Sequence, residues 1–281
     1  MSGDMLKQRI ITAVILLAIL VAALSASAPW PFALVTLVLI AAAGWEWGRL
    51  NAASPSGAVV LALCVAALSL GLGWLIKPTT AAWIWSAAAA LWIAGGAVAL
   101  QAGSAGWAKL QPALRCLIGV ILLAAAWAAL FHAHSRGINF LLSSMALVWV
   151  ADIAAYFGGR RFGRRKLAPT ISPGKSWEGV VSGMLGAVAL AGVWLWLDRT
   201  YAVDGPSLYS HLLARVGVVG LLLSVLALVA MSVVGDLFES LIKRAAGAKD
   251  SSGLLPGHGG VLDRVDALLP VMPMALALGS L

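Results

Sequence analysis

Long apolar runs repeat along the whole chain, and they leave few folds open. Residues 10–28 carry no charge, and further apolar runs fall at roughly 31–47, 57–76, 81–101, 114–132, 138–158, 179–197, 215–235 and 261–280. Each approaches the roughly 20 residues that cross a hydrocarbon core of about 30 Å as a helix. Only 11% of the residues are charged, against about 25% in soluble domains. No polar surface can cover this apolar bulk, so lipid must. A transmembrane β-barrel needs alternating segments, and the Leu, Ala and Val runs here do not alternate. The expected fold is an all-α polytopic membrane protein of about nine transmembrane helices. The first run ends in a cleavage-like Ala26-Ser27-Ala28, but Pro29 would follow the cut, so it is read as a retained helix. The last run is the most interrupted, by Pro270 and Pro273, and it holds Asp263 and Asp266 near its start.

Basic residues orient such a bundle. With the N-terminus inside, 15 of the 19 Lys and Arg residues fall on the cytoplasmic side, leaving Lys77, Arg136, Arg199 and Arg215 outside. The net charge of +8 is then mainly a topological signal, and no nucleic-acid partner follows from it. Trp30, Trp45, Trp47, Trp74, Trp149, Trp194 and Trp196 lie toward span ends, where interfacial rings belong. Cys64 and Cys116 lack metal-ligand spacing, and His132, His134, His211 and His258 form no HExxH set. Gly179 and Gly183, four apart, allow close helix packing. The chain divides into N-terminal transmembrane helices over 1–137 and a catalytic membrane region over 138–281, with cytoplasmic loops at 159–178 and 236–262.

Two segments hold most of the polar chemistry. The first, 152–179, has six basic residues between 160 and 175 with no acid among them. Such a cluster beside a membrane attracts anionic head groups at about 1 kcal/mol per residue. It contains Ser172-Pro173-Gly174-Lys175-Ser176, too specific for a spacer, and Asp152 sits within an apolar span, where an acid is costly and usually functional. A P-loop is excluded because Pro169 stands where its first Gly is required.

The second segment, 236–266, holds five of the chain's eleven acidic residues. Asp236, Ser240 and Lys243 share a helix face, and Gly247 is the expected stop. Carboxylates near a helix C-terminus oppose the local dipole, and a cation would relieve that conflict. A loop by composition runs from Ser251 to Gly260, and its glycines let backbone amides approach phosphate. Asp263 and Asp266, three apart, open the next element. Facing carboxylates flanked by Lys and Arg suit Mg²⁺ with a polyphosphate.

These motifs resemble the phosphatidate cytidylyltransferases. The family signature runs as Ser240-x-Ile242-Lys243-Arg244, then Lys249-Asp250-x-Ser252-x-x-Leu255-Pro256-x-His258-Gly259-Gly260-Val261-x-Asp263-Arg264-Val265-Asp266. The 152–179 segment is similar to the family's second motif, with Gly174 and Ser176 where Lys and Thr are expected. The resemblance implies that CTP and phosphatidate give CDP-diacylglycerol and pyrophosphate. It also implies Mg²⁺ with a second cation such as K⁺, a homodimer, and a site at the cytoplasmic ends of the C-terminal helices in a bacterial inner membrane. Asp236, Asp263, Asp266 and Asp250 are then the expected metal ligands. Lys243, Arg244, Lys249 and Arg264 would neutralise phosphates. His258, Gly259 and Gly260 would shape the nucleotide pocket, with Ser240 beside it. Ser172, Lys175 and Asp152 would face the substrates. Two rivals remain at this level: a CTP-dependent lipid kinase or a cytidylyltransferase for another lipid, and a secondary transporter, although no inverted repeat is visible.

Overall fold

A computed structural model of the chain describes residues 2–201 and 204–280. Its helices are α1 (Ser2–Leu24), α2 (Trp30–Leu50), α3 (Pro55–Leu75), α4 (Pro78–Lys109), α5 (Pro112–Ser135) and α6 (Ile138–Phe162), then α7 (Trp177–Thr200), α8 (Leu208–Ala245), α9 (Leu262–Val265) and α10 (Leu268–Leu278). Between α6 and α7 lies an antiparallel hairpin of β1 (Lys166–Ala168) and β2 (Ser172–Ser176), with Lys166 opposite Ser176 and Ala168 opposite Ser172.

Proline opens α2, α3, α4 and α5 within the first turn, where its missing N–H has no intrahelical acceptor to lose. Among the described residues, seven helices are long and apolar enough to cross a membrane: Trp30–Leu50, Pro55–Leu75, Ala81–Lys109, Pro112–Ser135, Ile138–Phe162, Trp177–Thr200 and Leu208–Ala245. Their outward faces are apolar, with Leu63, Trp83, Val98, Leu185 and Val219 exposed. The chain is an all-α integral membrane protein.

The first and last expected spans depart from the simple pattern. The apolar part of α1 is Ile10–Leu24, roughly 22 Å of helix at 1.5 Å per residue. The last run is broken into α9 and α10. The Asp266 carboxylate accepts from the N–H of Ala267 at 2.8 Å, and Pro270 has no N–H to continue a ladder. Residues 269–277 are all buried, so α10 is a core helix, packed against α4, α5, α6 and α8.

Two of the expected interfacial tryptophans point inward. Trp47 is fully buried and donates to the carbonyl of Arg115 at 2.8 Å. Trp194 donates to Asn139 Oδ1 at 2.8 Å. Trp30, Trp74, Trp149 and Trp196 are exposed, as interfacial rings should be.

The pairing of α6 with α7 shapes the functional end. A Cβ at Gly183 would lie 2.9 Å from the carbonyl of Ala151, and one at Gly179 would lie 3.0 Å from that of Ala155. Small residues therefore let the two backbones approach, as the glycine spacing predicts. The segment expected as a loop over 159–178 is more ordered than that. Helix α6 continues to Phe162, the hairpin follows, and Ser176 caps α7 by accepting from the N–H of Gly179 at 3.2 Å. At the other boundary α8 ends at Ala245, and Gly247 has φ +67°, the left-handed conformation that a glycine stop supplies.

Candidate active site

A cavity of about 550 Å³ opens where α6, β2, α7, α8 and α9 meet. Asp152 enters from α6, Ser172 and Lys175 from the hairpin, and Asp236 from α8; Asp263, Arg264 and Asp266 enter from the α9 turn. The two polar segments of the sequence thus converge on one space.

The Lys175 ammonium lies 2.5 Å from Asp236 Oδ2. Ser240, one turn further along α8, donates to Asp236 Oδ1 at 3.3 Å, as the four-residue spacing predicts. Deeper in, Lys243 sits between Glu239 Oε2 at 2.5 Å and Asp263 Oδ1 at 2.6 Å. Asp263 Oδ2 accepts from the N–H of Gly260 at 2.8 Å and from the N–H and hydroxyl of Ser251, each at 3.0 Å. Burial pushes the Asp263 carboxyl up, but the Lys243 ammonium and the Gly260 and Ser251 amides outweigh it and hold the pKa at about 2. Asp263 is therefore a fixed negative charge at neutral pH.

Asp266 behaves in the opposite way. Burial and the neighbouring Asp236 charge push it up to about 8, against the opposing bond from Ala267. Between about pH 4 and 8 the folded protein holds a proton that the unfolded chain has released. Stability of the metal-free protein therefore falls as pH rises through that window, by at most about 1.4 kcal/mol per pH unit, less where solvent in the cavity screens the carboxylate. Asp266→Asn cannot ionise and should lack this fall. Thermal unfolding of metal-free protein in detergent at pH 5 and pH 8 checks it: the wild type should lose more stability between the two than the variant does. Equal slopes for the two proteins would rule this assignment out.

The other expected site residues lie around the cavity rather than on its wall. Arg244 donates to the carbonyls of Ile171 at 3.3 Å and Ala248 at 3.2 Å, tying the hairpin turn to the end of α8. Lys249 and Asp250 are exposed at the start of the glycine loop. The carbonyl of His258 accepts from Arg264 Nε at 3.1 Å and from its Nη2 at 2.5 Å. Gly259 has φ +83°, and a Cβ there would lie 2.8 Å from Asp263 Oδ2. His258, Gly259 and Gly260 thus scaffold Asp263 and Arg264. Lys243 is held between its two acids, away from the cavity wall.

One residue assigned no role by the sequence reading proves central. Glu46 of α2 is fully buried, and its carboxylate accepts from Ser251 Oγ at 3.1 Å, Ser252 Oγ at 2.5 Å, Val261 N at 2.9 Å and Leu262 N at 2.6 Å. The rule that singles out Asp152, an acid inside an apolar span, applies equally to Glu46.

The donor set fits a hard cation. Among the described residues no three His, Cys, Asp or Glu side chains converge as a metal cage. Mg²⁺ seldom uses such a cage; it takes one or two carboxylates and completes its shell with water and substrate phosphates. Asp236 and Asp266, which both line the cavity, offer those oxygens.

The sequence pattern of the Cytidylyltransferase family matches residues 7–281. The chain belongs to this family. It is similar to the phosphatidate cytidylyltransferase of Pseudomonas aeruginosa, 39% identical over 281 residues, covering 98% of this chain and 97% of the relative. The Haemophilus influenzae phosphatidate cytidylyltransferase is 35% identical over 295 residues, covering 96% of each chain. That of Staphylococcus aureus is 35% identical over 159 residues, covering 57% of this chain and 56% of the relative. The family assignment therefore extends over the N-terminal spans, which in sequence resemble only generic membrane helices.

Proposed function

We propose that this chain is a phosphatidate cytidylyltransferase, joining the CMP unit of CTP to phosphatidate with release of pyrophosphate. The observation that carries the reading is one cavity in which Asp236, Asp263 and Asp266 meet Lys175 and Arg264, in a chain similar along its whole length to enzymes of that name. A phosphatidate oxygen forms the new bond to the CTP α-phosphorus, and the bond from that phosphorus to the bridging oxygen of the β-phosphate breaks. The nucleophile is already ionised at neutral pH, so no general base is needed. The obstacle is the approach of two polyanions.

The chain's own residues address that obstacle. Lys175 and Arg264 neutralise phosphate charge at the cavity wall, and their positive charge is fixed before substrate arrives. Asp236 and Asp266 would hold Mg²⁺, which would supply electrostatic stabilisation of the charge on the attacked and leaving groups. Lys175 is also the natural partner for the lipid phosphate, since its ammonium lines the cavity beside Asp236. The diacylglycerol tails remain in the bilayer while the head group enters the cavity that Asp152, Lys175 and Asp236 line. We place the cavity on the cytoplasmic side of a bacterial inner membrane, where the basic excess lies, and expect a homodimer with K⁺ as a second cation.

The test uses detergent-solubilised protein with phosphatidate and CTP labelled in either the α- or the γ-phosphate, with and without Mg²⁺. Label from the α-position in lipid supports nucleotidyl transfer. Label only from the γ-position would make the protein a lipid kinase, and no labelled lipid from either would remove both readings.

A further inference from the structure

We infer that Glu46 is a positioning residue of the active site: from outside the catalytic half of the chain it holds the glycine loop closed and so sets Asp263. Glu46 lies on α2, more than 200 positions before the loop it binds. All four of its contacts come from the loop, and they come from its two ends: Ser251 and Ser252 at the start, Val261 and Leu262 at the finish. One carboxylate thereby closes the segment on itself. Asp263, the next residue, is bound by the same two ends, through Ser251 and Gly260.

The connection is direct. Ser251 Oγ lies 3.1 Å from Glu46 Oε2 and 3.0 Å from Asp263 Oδ2, and a hydroxyl has one proton to give. The two carboxylates therefore share a donor. Gly260 completes the fit: a Cβ there would lie 2.0 Å from Ser251 Oγ and 2.4 Å from Glu46 Oε1. A fully buried acid in an apolar helix is costly and needs its donors. Among the described residues its donors all come from the loop and the start of α9 that follows it. Helix α2 is held instead by buried apolar residues such as Phe32, Ala43 and Trp47.

The kinetic part of this inference rests on the proposed cytidylyl transfer; the structural part does not. Glu46→Gln keeps the shape but turns an amide N–H₂ toward groups that are themselves donors. The thermal unfolding temperature should stay near the wild type. The kcat should fall about 10–100-fold, the usual loss when a supporting partner of a ligand-bearing group is removed, with the phosphatidate KM little changed. Hydrogen exchange of the amides in 250–262 should speed up, a readout independent of turnover. Ser252→Ala, which removes a donor that binds Glu46, should reproduce both effects from the loop side, and it decides the matter if Glu46→Gln does not fold. Asn51→Ala serves as the control. It removes a buried bond from Trp107 to the end of the same helix, and should lower stability while leaving loop exchange and kcat near wild type. Wild-type loop exchange in a folded Glu46→Gln protein would overturn the inference, as would a kcat loss no greater than that of Asn51→Ala. If the wild type makes no CDP-lipid, the reaction is wrong, and loop exchange still tests the role of Glu46.

Discussion

Asp263→Asn should lower CTP-dependent CDP-lipid formation by about 10²–10³-fold, the range for removing a fixed electrostatic element of a reaction site. The reason lies in how fully the carboxylate is used. Lys243 occupies Oδ1, and three donors from the loop occupy Oδ2. An asparagine must present N–H₂ either to an ammonium or to backbone N–H groups, and each choice sets donor against donor. The loss is therefore of placement as well as charge, and no rotation of the amide recovers it. Steady-state assays with α-labelled CTP read the rate, and size-exclusion profiles in detergent show whether the variant still folds. Near-normal turnover by a folded variant would remove Asp263 from the site.

Much of this arrangement can be read in the sequence, because the two forces that build it act locally. Apolar runs of span length report the bundle, and prolines at their starts report where helices begin. The four-residue step from Asp236 to Ser240 and the four-residue step from Gly179 to Gly183 both become contacts. What the sequence hides is long-range pairing. The Asp236–Ser240–Lys243 stripe reads as one unit, yet Asp236 pairs with Lys175 of the hairpin while Lys243 pairs with Glu239 and Asp263. The hairpin itself escapes notice because strands of three and five residues are too short to show a period of two. The last span is misjudged because hydropathy averages over Asp266 and Pro270, which together stop a continuous helix. Glu46 is lost the same way, as a single acid inside an apolar window, although its burial makes it the more expensive group.

The convergence also explains why the basic segment and the acidic segment lie on different elements. Lys175 reaches the site on the hairpin, whereas Asp236 comes from α8 and Asp266 from the end of α9. Carboxylates set at fixed spacing suit a cation of strict geometry. The ion pair between Lys175 and Asp236 joins the two segments.

Lys243→Met should produce the largest loss of stability of any single change at this site. The ammonium is nearly buried, with 12% of its side chain exposed, and its partners Glu239 and Asp263 are at 2% and 8%. Among the described residues the Glu239 carboxylate has no hydrogen-bond donor to replace it. Methionine fills similar volume and supplies no charge, so it leaves two acids buried side by side. Breaking a buried ion pair from one side costs about 3–5 kcal/mol, which lowers the unfolding temperature on the order of 10 °C in a chain of this size. Activity should fall as well, because Asp263 loses the contact that holds Oδ1. The double variant Lys243→Met with Glu239→Gln separates the two effects. Glu239→Gln removes an acid that must otherwise stay charged or take up a proton beside Asp263, so the double variant should regain part of the stability. It should not restore turnover, since Asp263 remains without its cation. Thermal unfolding beside α-label transfer for the two variants reads both quantities. Wild-type stability in Lys243→Met would show that the pair contributes nothing, and recovered turnover in the double variant would show that Lys243 acts only by neutralising Glu239.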